Sequence, residues 1–342
     1  MSKAVPVEPS ENPTPRLQVE QLKSWLPVDA VIDQGRPVIE WLDMTGVELT
    51  EPFFQQTVAR TKQTKTAVLT DLDTLIQFEK VSDSLAPSGF IFHTSRCGST
   101  LLANACRTLS GSLVVAEAPV LDKLISRFFT DTDDEGKKEL LYSILLKCAL
   151  SALGQRRFGN ERHYFVKFAV ASILQFNRIR QIWPTVPVVF LYRDPVETMV
   201  SNLQNVPEWM TLDSNPATSA AIAGVRKEDL ANISSEEFCA RSLGRFYKAL
   251  ATSQDENSFI CNYNELSPEK LVRLINFFGV SVSEEEVDKI RASAQLHSKD
   301  PSQTFQADGD MKRANASERI KELAEQWAMP SYERLVNLTQ GE

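Results

Sequence analysis

Two stretches of this chain place polar side chains at the end of an apolar strand, just before a helix. The first stretch covers residues 89–103 and has a polar turn at residues 95–100. Backbone N–H groups at the start of a helix carry a partial positive charge, and Arg96, Ser99 and Thr100 add side-chain donors. This stretch therefore predicts a binding site for a phosphate or a similar anion.

The phosphate loop of nucleoside triphosphatases, G-x-x-x-x-G-K-[ST], fits this turn only in part. Gly98 and Thr100 are in register, whereas His93 stands at the first Gly position and Ser99 at the Lys position. The Lys that would reach a β- or γ-phosphate is missing. The pattern therefore disfavours a nucleoside triphosphatase or an ordinary kinase.

The second stretch, residues 188–202, is an apolar strand that ends in a charged tip and continues as a helix. Arg193 follows the strand, and Ser201 comes about two helical turns later. These two side chains could hold one oxyanion from different directions.

The elements that position these side chains alternate along the chain. Apolar runs at residues 90–93, 113–116, 163–168, 186–192 and 258–263 read as strands, and helical patterns separate them. This alternation predicts an α/β fold with a doubly wound, mainly parallel sheet flanked by helices. Outside that rhythm, residues 19–26 read as a helix and residues 204–235 as a long irregular passage.

Composition narrows the classes of partner. The formal net charge is -8. The chain therefore lacks the overall basic character that would suggest nucleic acid or an anionic membrane as a partner. The five Cys are widely spaced without a C-x-x-C pair, which favours reduced thiols in the cytoplasm over a zinc site. Neither a signal peptide nor a run of about 18 apolar residues is found, so we expect neither secretion nor a membrane span.

Together the two stretches resemble the donor site of the PAPS-dependent sulfotransferases, whose donor is 3'-phosphoadenosine 5'-phosphosulfate (PAPS). The family's 5'-phosphosulfate loop, x-x-[RK]-S-G-[ST]-[ST], is similar to the run Ser95, Arg96, Cys97, Gly98, Ser99 and Thr100. Its 3'-phosphate signature, Arg-[DN]-Pro with a Ser eight positions after the Arg, is similar to Arg193-Asp194-Pro195 with Ser201. The resemblance implies that these residues bind PAPS as a co-substrate, in a fold of the P-loop-containing nucleotide-binding type.

Two shorter matches follow in the same order. Residues 262–266 resemble the family's Tyr-Glu-Asp-Leu segment, which implies that Tyr263 lies beside the adenine. Residues 309–312 resemble the Gly-Asp-Trp-Lys piece of the loop that closes over the nucleotide, which implies that Lys312 contacts the donor. The Arg-Lys-Gly that precedes this piece in cytosolic members is replaced here by residues 304–306, Thr-Phe-Gln.

The resemblance also implies a general base and an in-line transfer without a metal. Some sulfotransferases use a His two positions after a Lys, but here Lys167 is followed by Ala169 at the His position. Other branches use a Glu in a Gly-Glu-Pro-like turn, and Glu117 lies in a similar turn. Glu117 is therefore the predicted base, with a helix-capping role as the alternative and His297 as the reserve base.

Two further side chains have open alternatives. Lys167 either contacts the transferring group or is a strand-end Lys whose ammonium reaches solvent. Cys97, at a helix start beside Arg96, is expected to have a lowered thiol pKa and to bind the donor through its backbone N–H.

The resemblance predicts an enzyme that moves a sulfuryl group from PAPS to a hydroxyl or amine of a small-molecule acceptor and releases 3',5'-ADP. The alternatives are an atypical P-loop kinase and a catalytically silent nucleotide-binding member. We expect a disordered tail over residues 1–16, an N-terminal extension packed on the core over residues 17–86, and a sulfotransferase-like domain over residues 87–342. Residues 204–235 are expected to shape the acceptor pocket. Phe53 and Phe54 are expected to be packing residues, with the N-terminal segment as a candidate for a further wall of the acceptor site.

Overall fold

The computed structural model describes residues 19–126, 135–211, 215–304 and 309–339, with the backbone alone at residues 135, 297 and 300–304. The tail predicted over residues 1–16 lies outside these residues.

The N-terminal part of the chain is a small antiparallel sheet with two helices. Its strands are β1 (Trp25–Asp33), β2 (Arg36–Asp43) and β3 (Ala67–Thr70), in that order in the sheet, and its helices are α1 (Phe54–Thr61) and α2 (Leu72–Glu79). The helix predicted over residues 19–26 is wrong, because only a 3-10 turn at Val19–Leu22 precedes β1. Ser24 has a positive φ of 67° and Pro27 follows, so a helix cannot continue through this point.

The centre of the molecule is a five-stranded parallel sheet. Its strands are β4 (Gly89–His93), β5 (Ser112–Ala116), β6 (His163–Lys167), β7 (Val188–Tyr192) and β8 (Ser258–Asn262). Their order in the sheet is β5-β6-β4-β7-β8, with all neighbours parallel. Every residue of β4 and β7 is buried, as expected for parallel strands covered on both faces.

Helices surround the central sheet. They are α3 (Ser99–Arg107), α4 (Pro119–Ile125), α5 (Glu135–Leu153), α6 (Phe176–Ile182), α7 (Pro195–Gln204), α8 (Pro216–Ala223), α9 (Ser235–Thr252), α10 (Pro268–Phe277), α11 (Glu284–Ala294), α12 (Gly309–Ala314), α13 (Glu318–Trp327) and α14 (Met329–Thr339). A short hairpin of β9 (Leu296–His297) and β10 (Asp300–Thr304) follows α11. Within the described ranges, no helix combines the length and the apolar character needed to cross a bilayer.

Two apolar clusters lie on opposite faces of the central sheet. Successive residues of β4 belong to different clusters, with Phe90 and Phe92 in one cluster and Ile91 in the other. The cluster of Ile91 is closed by α3, α10 and α11, and that of Phe90 by α5, α9 and α14. The predicted α/β, doubly wound parallel fold is confirmed. The N-terminal sheet shares the larger cluster through Leu26 and Trp41, so its core is continuous with that of the parallel sheet.

The passage predicted to be irregular over residues 204–235 contains α8 and two 3-10 turns, at Glu208–Met210 and Lys227–Asn232. The prediction was wrong because it overlooked the terminal signals of a short helix. Asn215 caps α8 by accepting a hydrogen bond from the Thr218 N–H, Pro216 occupies the first helical position, and Gly224 ends the helix at a φ of 69°.

Candidate functional site

The carboxyl ends of the parallel strands open into a cleft with a volume of about 700 Å³. After β4 the chain first adds β5 and β6 on one side of β4 in the sheet, and it then adds β7 and β8 on the other side. The direction in which strands are added therefore reverses at β4. Open α/β sheets bind ligands at such points. The lining includes these predicted residues: Ser95, Arg96, Cys97, Gly98, Ser99, Thr100, Glu117, Lys167, Arg193, Ser201, Tyr263 and Lys312. The side chain of His297 lies outside the described part of the chain.

The turn between β4 and α3 is held in an unusual backbone conformation. Ser95, Arg96 and Gly98 have positive φ angles of 74°, 49° and 81°. For a residue with a side chain this conformation is costly, and such strain concentrates at functional sites. Asn202 on α7 fastens the turn, because its Oδ1 accepts from Ser95 Oγ at 2.9 Å and from Arg96 Nε at 3.2 Å. The first predicted anion site is therefore tied to the helix of the second.

Cys97 turns its side chain away from the cleft. The thiol is fully buried and donates to the Leu191 carbonyl at 3.2 Å. Burial raises the pKa of the Cys97 thiol to about 11, so the predicted lowering is wrong. The thiol lies between α3 and β7, in apolar surroundings that disfavour a thiolate.

Arg193 lies almost fully buried where β7 ends. Its Nε donates to Glu197 at 2.6 Å, and its guanidinium lies 4.1 Å from the centroid of the Tyr263 ring. Glu197 is also buried and contacts Arg313 of α12 at 2.8 Å. The helix that carries Lys312 is thereby fastened beside Arg193.

Glu117 directly follows β5 and forms an ion pair with Lys167 from the neighbouring strand β6. Lys167 does not extend into solvent, since its side chain is only 1% exposed, and its Nζ lies 3.4 Å from Thr100 Oγ1. The capping alternative for Glu117 is not seen, because the cap residue of α4 is Ala118 without a side-chain hydrogen bond. Glu117 has a positive φ of 56°, which is a further strained residue in the cleft.

The charge state of Glu117 follows from its neighbours. Burial acts to raise the pKa of this carboxyl, but the Lys167 ammonium and the contact with His93 hold it well below its usual range. The carboxylate is therefore ionised at neutral pH and can accept a proton or a hydrogen bond.

Two residues of the cleft lining, His93 and Lys299, were not predicted from the sequence as polar groups of the cleft. His93, Lys299 and Phe53 lie around the Glu117–Lys167 pair. Phe53 comes from the N-terminal part, and its ring centroid is 4.8 Å from Lys167 Nζ and 5.5 Å from Lys299 Nζ. No local pattern could have indicated this, since the three side chains come from distant parts of the chain.

Lys299 is carried by the turn of the β9–β10 hairpin. The hairpin is attached to α3, because Asn104 Nδ2 donates to the Ser298 carbonyl at 2.8 Å. Although Lys299 as a whole is exposed, partial desolvation of its ammonium in the cleft, together with Arg96 and Lys167, lowers its pKa to about 8. The three cations make this end of the cleft strongly attractive to an anion.

The rest of the cleft lining combines the apolar residues Phe53, Val170, Pro207, Trp209 and Leu296 with polar ones, among them Gln55, Gln204, Asn205 and Glu208. A second cavity of about 840 Å³ also has Leu101, Tyr263 and Ala294 in its lining. Tyr263 therefore stands on the border between the two spaces.

Fold and cleft together define an α/β protein with an anion-binding turn at the switch point of a parallel sheet. No family model matches the chain, and no curated protein matches its sequence. Among solved structures the chain is similar to a sulfotransferase from Alicyclobacillus acidocaldarius, with 15% identity over 74% of this chain and 96% of that chain and a TM-score of 0.38.

Two further solved structures are similar at the same low level. One is a mouse sulfotransferase complexed with PAP, with 15% identity over 73% of this chain and 78% of that chain and a TM-score of 0.34. The other is a retinol dehydratase in complex with retinol and PAP, with 13% identity over 73% of this chain and 82% of that chain and a TM-score of 0.36.

Proposed function

We propose that this protein is a PAPS-dependent sulfotransferase that transfers a sulfuryl group to a hydroxyl or amine of a small-molecule acceptor. One observation carries the proposal. The turn at residues 95–100, the pair Arg193 and Ser201, and the ionised Glu117 all line one cleft, although they follow three separate strands, β4, β7 and β5.

The donor would be held at both ends of its nucleotide. The turn before α3, with its N–H groups and Arg96, faces the space for the 5'-phosphosulfate. Arg193 and Ser201 are assigned to the 3'-phosphate, which distinguishes PAPS from ordinary adenine nucleotides. Tyr263, on the border of the second cavity, offers an aromatic surface for the adenine, and Lys312 a further cation.

The transfer is an in-line displacement at sulfur. The acceptor oxygen or nitrogen forms a bond to sulfur while the bond between sulfur and the 5'-phosphate oxygen breaks, and the acceptor proton passes to Glu117. The products are the sulfated acceptor and 3',5'-ADP, and Glu117 then releases its proton to solvent. Lys167, Lys299 and Arg96 would stabilise the charge that develops on the transferring and leaving groups, a task that needs no metal.

The acceptor would occupy the apolar part of the cleft. Phe53 and Trp209 offer flat aromatic surfaces there, and Val170 and Leu296 add aliphatic ones. Such walls suit a small molecule with an apolar body and one nucleophilic group. The passage after α7 thus contributes to the proposed acceptor pocket through Pro207 and Trp209, and the N-terminal part through Phe53.

A cytoplasmic location is part of the proposal. All five Cys are free and buried. In secreted proteins, buried Cys residues are often paired in disulfide bonds. Free buried thiols are typical of a reducing compartment.

Turnover of PAPS tests the proposed activity. The protein is incubated with PAPS and a panel of phenols, aliphatic alcohols and primary amines, with and without a metal chelator, and 3',5'-ADP and sulfated product are quantified. We expect equal amounts of both for at least one acceptor class, with or without chelator. Intact PAPS across the whole panel would favour the silent nucleotide-binding alternative, and phosphate transfer from magnesium–ATP would favour the kinase.

A further inference from the structure

His93 lies buried between the anion-binding turn and Glu117, and the resemblance to sulfotransferases assigns it no role. It is the last residue of β4, immediately before the turn, and is 6% exposed. Its Nδ1 accepts a hydrogen bond from the Ser95 N–H at 3.2 Å. A nitrogen that accepts a hydrogen bond carries no proton, so the neutral ring must carry its proton on Nε2.

His93 Nε2 lies 3.4 Å from Glu117 Oε1, without a formed hydrogen bond, and has no hydrogen-bond partner among the residues that the structure describes. A buried donor without an acceptor is costly, so the carboxylate is its natural partner. Hydrogen bonds of catalytic groups are often long before substrate binds and shorten afterwards.

The ring stays neutral in this position. Burial of His93 and the nearby Lys167 ammonium lower its pKa, and Lys299 acts in the same direction, while Glu117 acts against them. These charged groups face the ring from β6, from the β9–β10 turn and from the end of β5. A neutral imidazole donates a hydrogen bond without adding another positive charge to the cleft.

We infer that His93 is a positioning residue for Glu117, an inference that rests on the proposed function. His93 Nε2 and the Lys167 ammonium both lie beside the same carboxylate oxygen, Oε1. This leaves Oε2 as the oxygen that takes the acceptor proton. The other ring nitrogen of His93 accepts a hydrogen bond from the Ser95 N–H. The turn that is assigned to PAPS therefore also fixes the orientation of the base.

Two substitutions separate the two contacts of His93. In His93→Asn the side-chain oxygen can still accept from the Ser95 N–H, but the amide is too short to reach Glu117. In His93→Gln the longer side chain can present an N–H to Glu117. Measurements on both variants are kcat and KM for PAPS, the Kd of 3',5'-ADP, the urea unfolding midpoint and the pKa of the Glu117 carboxyl by carbon NMR.

We expect His93→Asn to lower kcat by about 10- to 100-fold, as is typical for loss of a group that orients a reactive one. The Kd of 3',5'-ADP should stay within about twofold, and the pKa of Glu117 should rise, which moves the acid limb of the kcat profile to higher pH. His93→Gln should recover most of kcat.

Unchanged kcat and an unchanged pKa of Glu117 in His93→Asn would overturn the inference. Equal loss of kcat and of 3',5'-ADP affinity in both variants would also overturn it, because that pattern indicates support of the turn rather than of the base. Failure of the proposed function gives a different result, namely a wild-type protein that neither turns over PAPS nor prefers 3',5'-ADP.

Discussion

Side chains from three neighbouring strands meet at the carboxyl edge of the sheet, and their charges depend on one another. His93 ends β4, Glu117 follows β5, and Lys167 ends β6. The local motifs singled out Glu117 and Lys167, both of which line the cleft, and their catalytic roles stay predictions. The motifs were not enough to predict their ion pair or the part of His93, because these depend on the order of the strands in the sheet.

The first prediction concerns the removal of the Glu117 carboxylate, the proposed base. Glu117→Gln should lower kcat by about 10²- to 10⁴-fold, the usual contribution of a general base. The Kd of 3',5'-ADP should change little, because the turn and Arg193 remain. The control is Glu322→Gln on the exposed surface of α13, which should behave as the wild type in both measurements. Normal turnover by Glu117→Gln would remove the residue from its role.

The ion pair should also affect stability. Lys167→Met leaves an ionised carboxylate beside apolar groups, so we expect the free energy of unfolding to fall by about 3 kcal/mol. This loss is at the low end of what breaking a buried ion pair usually costs, because the Glu117 side chain is 27% exposed. The double variant Lys167→Met with Glu117→Gln should regain most of the loss in urea unfolding.

The pH dependence of this effect follows from the lowered pKa of Glu117. A carboxyl whose pKa is lower in the folded protein stabilises it above the unfolded pKa, and this contribution is lost as pH falls through the folded value. The stability of the wild type should therefore fall more steeply below pH 4.5, the ordinary Glu value, than that of the double variant. Parallel curves for the two proteins would contradict the assigned ion pair.

The lowered pKa of Lys299 should make the affinity for an anionic ligand depend on pH. Because its pKa is about 8, the ammonium loses its charge between pH 7 and 9, and affinity for an anion should fall over that range. Titrations with 3',5'-ADP should show this decline in the wild type and not in Lys299→Arg, which stays charged. If both proteins show the same slope, Lys299 is not the group responsible.

Among the elements, the turn between β4 and α3 has the strictest backbone requirement. Gly98 has a φ of 81°, and a Cβ added there would lie 2.3 Å from Leu266 Cδ1. Gly159 is a matched control, since its φ is 82° and an added Cβ would meet no atom within 4 Å. Both Gly→Ala changes carry the backbone cost of about 1 kcal/mol, but only the one at Gly98 should also weaken 3',5'-ADP binding.

Urea unfolding and ligand titration of the two variants test this difference. We expect both variants to lose stability, Gly98→Ala more so because of the contact with Leu266, and only Gly98→Ala to lose binding. Unchanged affinity in that variant would show that the turn does not hold the ligand.

Elements differed in how well they could be predicted. The strands of the central sheet are buried on both faces, so their continuous apolar runs identified them. A helix was predicted over residues 19–26 because the apolar residues there recur at helical spacing, and the left-handed conformation of Ser24, which separates the 3-10 turn from β1, is not evident from residue type. The β9–β10 hairpin was missed, since a strand as short as β9 has no periodicity, and Lys299 was missed with it.

At the scale of the whole molecule, distant parts of the chain close the cleft. Phe53 comes from the N-terminal part and Lys299 from the hairpin after α11, yet the two side chains meet above Lys167. The residues assigned to the donor could be singled out because each motif is local to one strand end, and their role stays a prediction. For the rest of the cleft wall the sequence indicated only segments, residues 204–235 and the N-terminal part, and not the individual side chains, because these are brought together by tertiary packing.

In the proposed function the cleft recognises a nucleotide by both its 5' and its 3' groups. Calorimetric titration with 3',5'-ADP, 5'-AMP and magnesium–ATP measures this recognition, with Arg193→Met compared with the wild type. The wild type should bind 3',5'-ADP more tightly than 5'-AMP by about tenfold or more, as one added charge-assisted contact to a buried Arg provides, and Arg193→Met should lose this preference. Equal affinity of the wild type for 3',5'-ADP and 5'-AMP, or a preference for magnesium–ATP, would contradict the proposed recognition.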